Sequence, residues 1–103
     1  MEKEDLVAGS SLIIKDFQLE SDALIDVPKL TYDSLLARLV QIVDHLISKD
    51  FNRLLNALYR IDVSEEKLKS VFAQRPENTS LIIAQMILDR ELQKVASRKK
   101  HSA

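Results

Sequence analysis

The sequence predicts an all-α fold, a small bundle of four helices preceded by an N-terminal arm. Glycine is the first indication, since the 103 residues contain only one, and none between Thr31 and Ala103. Apolar residues recurring every three or four positions are the second, because this spacing places them on one face of a helix. Hydrophobic residues make up 46% of the chain but aromatic ones only 5%, which favours an aliphatic core in a single domain.

The first thirty residues are predicted to be an arm that carries one short helix. Leu6 and Ile13 have helical spacing, whereas Gly9 between them weakens a helix there. We therefore expect residues 1–30 to form the arm and residues 31–103 to form the helical bundle domain.

Side chains that can cap a helix predict where three of the four bundle helices begin. Thr31, Asp50 and Ser64 each precede an apolar-periodic run, and their oxygens can accept a backbone hydrogen bond. The first long helix has so wide an apolar face that it should lie centrally and pack against the last one. The predicted ranges are 32–48, 51–60, 65–73 and 77–99. The second of these helices is expected to bury Phe51, Leu54, Leu55, Leu58 and Tyr59.

The last predicted helix carries more apolar surface than a bundle of this size should need. Its apolar residues narrow to one stripe in its second half, which is expected to project toward a partner. A homodimer is expected, because symmetric dimers are the commonest oligomers. A monomer in which the N-terminal arm folds back over the stripe is the open alternative. The predicted interface is Leu88, Leu92 and Val95, with Lys94, Arg98 and Lys99 at the rim.

Charge is unevenly distributed along a chain whose formal net charge is −1. Residues 1–29 carry seven acids against three lysines, a balance of −4, and residues 90–103 carry five basic residues against one acid, a balance of +4. These ends are either solvated or attract each other, within one chain or across a dimer. Exposed ion pairs contribute at most ~1 kcal/mol each, so such attraction can orient the ends without holding the fold.

The middle of the chain contains a tight turn between two predicted helices. Leu58, Val63, Leu68 and Val71 surround this turn with an apolar skeleton that resembles the helix-turn-helix family of DNA-binding domains. The resemblance covers about twenty residues, and it implies that the second helix would enter a groove of DNA. Asp62 stands where the family usually has glycine.

Acidic residues set this helix pair apart from a typical DNA reader. Glu65 and Glu66 open the second helix, where phosphates are normally met by basic residues. DNA binding is therefore the alternative function, and ordinary helix packing is the preferred interpretation. The DNA contacts that this alternative predicts are Ser64, Lys69, Arg98, Lys99 and Lys100.

Patterns that carry catalysis or bind metals are missing from the sequence. No cysteine is present, and neither His45 nor His101 has a second ligand at helical spacing. We therefore predict no catalytic residue, metal site or cofactor. The start of the chain is acidic rather than signal-like, and no apolar run approaches the ~20 residues that span a bilayer. A cytoplasmic, non-catalytic interaction or scaffolding protein without membrane contact is predicted.

Overall fold

The computed structural model describes residues 2–20, 24 and 29–101. These residues form five helices and no strand, which confirms the all-α class. The helices are α1 (Lys3–Phe17), α2 (Tyr32–Lys49), α3 (Phe51–Ile61), α4 (Glu65–Gln74) and α5 (Thr79–His101). Three of them, α2 to α4, begin at the predicted residue, and α5 begins two residues later than predicted. Within the described ranges, no helix is both long enough and apolar enough to cross a bilayer.

Side-chain caps explain why the predicted starts of α2, α3 and α4 are accurate. The Thr31 hydroxyl accepts a hydrogen bond from the Ser34 N–H at 3.0 Å, and the Ser34 hydroxyl accepts one from the Thr31 N–H at 2.9 Å. This reciprocal pair is a capping box, which satisfies N–H groups that a helix start leaves without partners. Asp50 and Ser64 each accept from the N–H three residues onward, at 3.2 Å and 3.3 Å.

The longest helix, α5, is the element on which the rest of the fold is built. Its 23 residues span about 34 Å, most of the 41 Å long axis of the molecule. It packs against each of the other four helices, while α3 also packs against α1 and α2. Four apolar side chains of α5 have no exposed surface, namely Ile83, Ala84, Ile87 and Leu88.

Polar contacts also fix the alignment of α2 along α5. The Tyr32 hydroxyl donates to Asp89 Oδ1 at 2.7 Å, and the Ser80 hydroxyl donates to Asp44 Oδ1. Burial, followed by the hydrogen bond to Asp89, raises the pKa of Tyr32 to about 12. The phenol therefore stays protonated and remains a donor at any physiological pH.

The N-terminal segment differs from the prediction, because it is a 15-residue helix and not an arm with a short helix. Leu6, Ile13 and Phe17 of α1 are at most 4% exposed and belong to the same core as α5. Gly9 does not interrupt the helix. A Cβ at this position would lie 3.0 Å from Cδ2 at the end of the Leu92 side chain, so glycine leaves room for Leu92 against α1. The described residues therefore form five helices, and α1 is part of the packed core where an arm with a short helix was predicted.

Candidate interaction surface

The apolar stripe that the sequence assigned to a partner is covered within the chain. Leu88, Leu92 and Val95 are 0%, 8% and 7% exposed. α1 lies over this part of α5, with Gly9 against Leu92. The stripe therefore does not project from the fold, because the N-terminal segment folds back over it, as in the monomeric alternative.

The oppositely charged ends of the chain meet at the same place. Lys99 Nζ lies 2.6 Å from Asp5 Oδ1, 3.4 Å from Glu4 Oε1 and 3.8 Å from Glu2 Oε2. The hydrogen bond to Asp5 is the main reason why the pKa of Lys99 is raised. The attraction thus operates between α1 and α5 of one chain. Arg98, the other predicted rim residue beside it, is exposed.

A carboxyl group is buried between the same two helices. Glu91 has no exposed surface, and its Oε1 lies 3.0 Å from Lys94 Nζ. Burial raises the pKa of Glu91 to about 7; the hydrogen bond from Lys94 opposes this shift, and the charge of Asp16 on α1 adds to it. Perturbed carboxyls often mark active sites, but this one is closed off from any substrate. Lys94, predicted at the interface rim, is instead the partner of Glu91.

The exposed apolar surface lies elsewhere, on α3. Among the described residues, the large hydrophobic side chains left exposed are Phe51 at 39%, Leu55 at 39% and Tyr59 at 81%. They recur every four residues, so they form one ridge along the helix. We call these three residues the α3 ridge. Their predicted burial is wrong, whereas Leu54 and Leu58 are buried as expected.

A groove between α3 and α4 adjoins the ridge. It encloses about 650 Å³. At the first residue of α3, the ring of Phe51 meets Phe72 of α4 edge to face, with 5.4 Å between the ring centroids. The lining residues are Leu55, Leu58, Tyr59, Asp62, Val63, Ser64, Glu65 and Leu68. The α3 ridge and this groove together are called the α3–α4 face.

Both arginines of α3 are held away from the ridge. Arg53 donates to the carbonyl oxygens of Phe17 and Gln18 at 2.9 Å and 3.0 Å. Arg60 donates to the carbonyl oxygen of Asp16 at 2.9 Å. These carbonyls belong to the end of α1, where a helix leaves acceptors without partners and where cations are favoured. Both guanidinium groups thus bind carbonyl oxygens at the end of α1.

The residues of the DNA-binding alternative serve several different roles. Asp62 has the left-handed conformation, with φ at 67°, which glycine adopts without strain. The Ser64 hydroxyl caps α4 by accepting from the Lys67 N–H. Lys69 is exposed on α4, which has no buried residue.

The basic end of α5 lies apart from the helix-turn-helix turn. Arg90 Nε donates to the Asp62 carbonyl oxygen at 3.2 Å, which fixes the position of the turn along α5. Lys100 is ten residues further along α5, about 15 Å along the axis. Lys99 is engaged by the acids of α1, while Arg98 and Lys100 are exposed. The structure therefore does not bring the predicted DNA contacts together.

Neither metal-binding clusters nor comparisons with known proteins point to a function. Within the described part of the chain, no group of three or more histidine or carboxylate side chains could hold a metal ion. The buried Ser10 hydroxyl donates to the Leu6 carbonyl of its own helix at 2.9 Å. No family model, curated protein or solved structure matches this sequence significantly. Function is therefore inferred from the surface chemistry of the chain.

Proposed function

We propose that this protein is a non-catalytic interaction protein that docks another protein chain on its α3–α4 face. The observation that carries the proposal is the exposure of the α3 ridge, above all the 81% exposure of Tyr59. Exposed aromatic side chains are enriched where proteins bind each other, because they bury a large area and lose little conformational freedom.

The dimensions of the face support a helical partner. Phe51 and Tyr59 are eight residues apart, about 12 Å along the helix axis. A partner helix reaches this distance with anchors one and two turns apart, which is the spacing used in helix-in-groove recognition. The groove beside the ridge would receive those anchors.

The setting proposed for this interaction is the cytoplasm. Zero cysteines fit a reducing compartment, although they do not require one. The role is scaffolding, since the polar groups at the groove, such as the Ser64 hydroxyl, already serve the fold as helix caps.

Site-specific photo-crosslinking in cells tests the proposal. A photoreactive phenylalanine analogue replaces Tyr59 in one chain and Ser97, which is exposed on α5, in a control chain. We expect a protein adduct from position 59 and none from position 97. Adding Leu55→Glu to the first chain should remove the adduct by placing a charge in the centre of the ridge. Equal adducts from both positions, or none from either, would contradict the proposal.

DNA binding is the second candidate, supported by the left-handed Asp62 and by an exposed α4. Titration of labelled duplex DNA at ~50 mM salt tests it, since phosphate contacts are strongest at low salt. Binding that weakens with Lys69→Glu would support this function. Absence of binding at this salt concentration would reject it.

A further inference from the structure

We infer that α1 is a pH-sensitive cover on α5, held closed while Glu91 is protonated and loosened when Glu91 ionises. Among the described residues, Glu91 is the one ionisable side chain with no exposed surface. It lies between the two helices, so it is kept from water only as long as α1 stays in place. The inference does not involve the α3–α4 face, and its test is independent of the proposed function.

Contacts at both ends of α1 show how Glu91 is placed. Near the start of α1, Asp5 lies 2.6 Å from Lys99, which is close to the end of α5. Near the end of α1, Asp16 is close enough to Glu91 for its charge to act on that carboxyl. The two helices therefore run antiparallel, and the last turn of α1 brings a second carboxyl group to Glu91.

The two oxygens of the Glu91 carboxyl are unequally satisfied. Oε1 accepts a hydrogen bond from Lys94 Nζ at 3.0 Å, whereas Oε2 is buried without a hydrogen-bond partner among the described residues. Leaving a charged oxygen buried and unpaired is costly. A proton removes the charge and gives Glu91 an O–H that can donate to the Asp16 carboxylate. The closed arrangement therefore favours the protonated carboxyl.

The charged groups around Glu91 act in both directions. Burial raises the pKa of Glu91 from 4.5 to about 7; the hydrogen bond from Lys94 opposes this shift, and the charge of Asp16 adds to it. From α3, Arg60 reaches the same turn of α1, where it donates to the Asp16 carbonyl oxygen at 2.9 Å. An ionised Glu91 would face Asp16 as a second negative charge, so ionisation weakens the contact between α1 and α5.

The central helices can stay packed when α1 moves away. α2, α3 and α5 each contact the other two directly. α1 packs against α5 and α3, and its departure would uncover the stripe on α5 formed by Leu88, Leu92 and Val95. Proteins open in such units at a lower free energy than complete unfolding requires. We therefore expect release of α1 as an event separate from unfolding of the whole chain.

The direction of the pH dependence follows from where the proton is held. The pKa of Glu91 is about 7 with α1 in place, and it should return toward its ordinary value of 4.5 when α1 is released. Between these two values, the covered form keeps a proton that the released form loses. The equilibrium constant for release should therefore rise with pH by about 300-fold in total and level off above pH 7. The cover is tightest in acid.

Native-state hydrogen exchange of the full chain, followed by mass spectrometry from pH 5 to pH 8, tests the inference. Each exchange rate is divided by the rate of an unstructured peptide at the same pH, so that only helix opening is compared. Amides of α1 should be less protected than those of α2, and their protection should fall about 70-fold over this range, mostly below pH 7. Equal protection of α1 and α2 at every pH would show that only complete unfolding releases α1, and would overturn the inference.

Substitutions around Glu91 separate titration of this carboxyl from other effects of pH. Glu91→Gln cannot ionise, so the protection of α1 should no longer fall as the pH rises. Asp16→Asn and Lys94→Gln change partly exposed groups, and they keep the test decisive if Glu91→Gln does not fold. Loss of the Asp16 charge should reduce the fall in protection, and loss of the Lys94 charge should enlarge it.

Glu66→Gln, at an exposed position on α4, is the control and should reproduce the wild-type fall. The opposite signs expected at positions 16 and 94 are what a purely structural effect of these substitutions would not produce. Shifts of the same sign at both positions, or a fall that Glu91→Gln retains, would overturn the inference.

Discussion

Two apolar surfaces of this protein consist of residues at the same helical spacing, yet one surface is buried and the other is exposed. The stripe on α5 (Leu88, Leu92 and Val95) is at most 8% exposed, whereas the α3 ridge (Phe51, Leu55 and Tyr59) is at least 39% exposed. The stripe is covered because α1 packs against α5, with Gly9 beside Leu92. α4 reaches the ridge through Phe72 at one end. The difference shows that an apolar helix face is buried only where another segment of the chain packs over it.

Removing one phenylalanine from the core beneath α1 and one from the α3 ridge should give the largest contrast. Phe17, which is 1% exposed, fills the core at the end of α1, so Phe17→Ala should lower the free energy of unfolding by about 3–5 kcal/mol. Phe51→Ala removes a partly exposed ring and its contact with Phe72, and should cost about 1 kcal/mol. Urea denaturation of both variants measures the two losses. Similar losses would mean that the ridge is as tightly packed as the core.

The packing of α1 against α5 can be disturbed at Gly9. Gly9→Val places a branched side chain against Leu92, and overpacking of this kind costs about 1–3 kcal/mol. Thermal unfolding followed by circular dichroism measures the loss.

Gly9→Ala is the matched control for this variant. Its methyl group would meet only the end of the Leu92 side chain, at 3.0 Å. Alanine also favours the helix by up to ~1 kcal/mol. The two effects oppose each other, so this variant should differ little from the wild type. Equal destabilisation by alanine and valine would show that Leu92 cannot move.

The buried carboxyl under α1 should make stability depend on pH. The pKa of Glu91 is raised from 4.5 to about 7 in the fold, so the folded chain holds a proton that the unfolded chain releases. Stability from this group is therefore complete below pH 4.5 and is lost as the pH rises through 7. Asp16 of α1 and Lys94 of α5 are the charged groups that face it.

Comparison of Glu91→Gln with the wild type isolates this effect. The amide cannot ionise, so the variant should lose less stability between pH 4.5 and pH 7 than the wild type in urea titrations. Glu66→Gln, at an exposed position on α4, is the control and should follow the wild-type profile. Parallel profiles for all three proteins would show that Glu91 titrates normally.

The ion pairs around Lys99 should have the smallest effect. Lys99 is half exposed, so salt screens its attraction to the acids of α1. Lys99→Gln should lower the Tm slightly in dilute buffer and not at high salt. Lys100→Gln removes the same charge one residue onward and should leave the Tm unchanged. A loss with Lys99→Gln that persists at high salt would mean that the contact is shielded from solvent.

Local chemistry made α2, α3 and α4 predictable. Thr31, Asp50 and Ser64 mark their helices because a cap forms within four residues, without help from the rest of the fold. The position of α1 could not be predicted in this way. Gly9 weakens a helix locally, and its benefit arises only when Leu92, 83 residues further along the chain, packs against it.

The α3 ridge left a signal in the sequence that the prediction did not use. Viewed down its axis, α3 has apolar residues over more than half of its circumference. Ala57 lies at one edge of this apolar arc and Tyr59 at the other. A helix at the edge of a bundle cannot bury so wide an apolar face. The width of the apolar face entered the prediction for α2 but not the prediction for α3. Which side of the face stays exposed still depends on where α4 lies, and the sequence pattern does not determine that.

The pairing of α1 with α5 also affects synthesis of the chain. More than 60 residues separate the end of α1 from the start of α5, so translation needs roughly 3–12 s to reach α5 after α1 has been made. During that interval the apolar residues of α1 lack the α5 side chains with which they share the core. Slow codons between the two segments should therefore reduce the yield of correctly folded material.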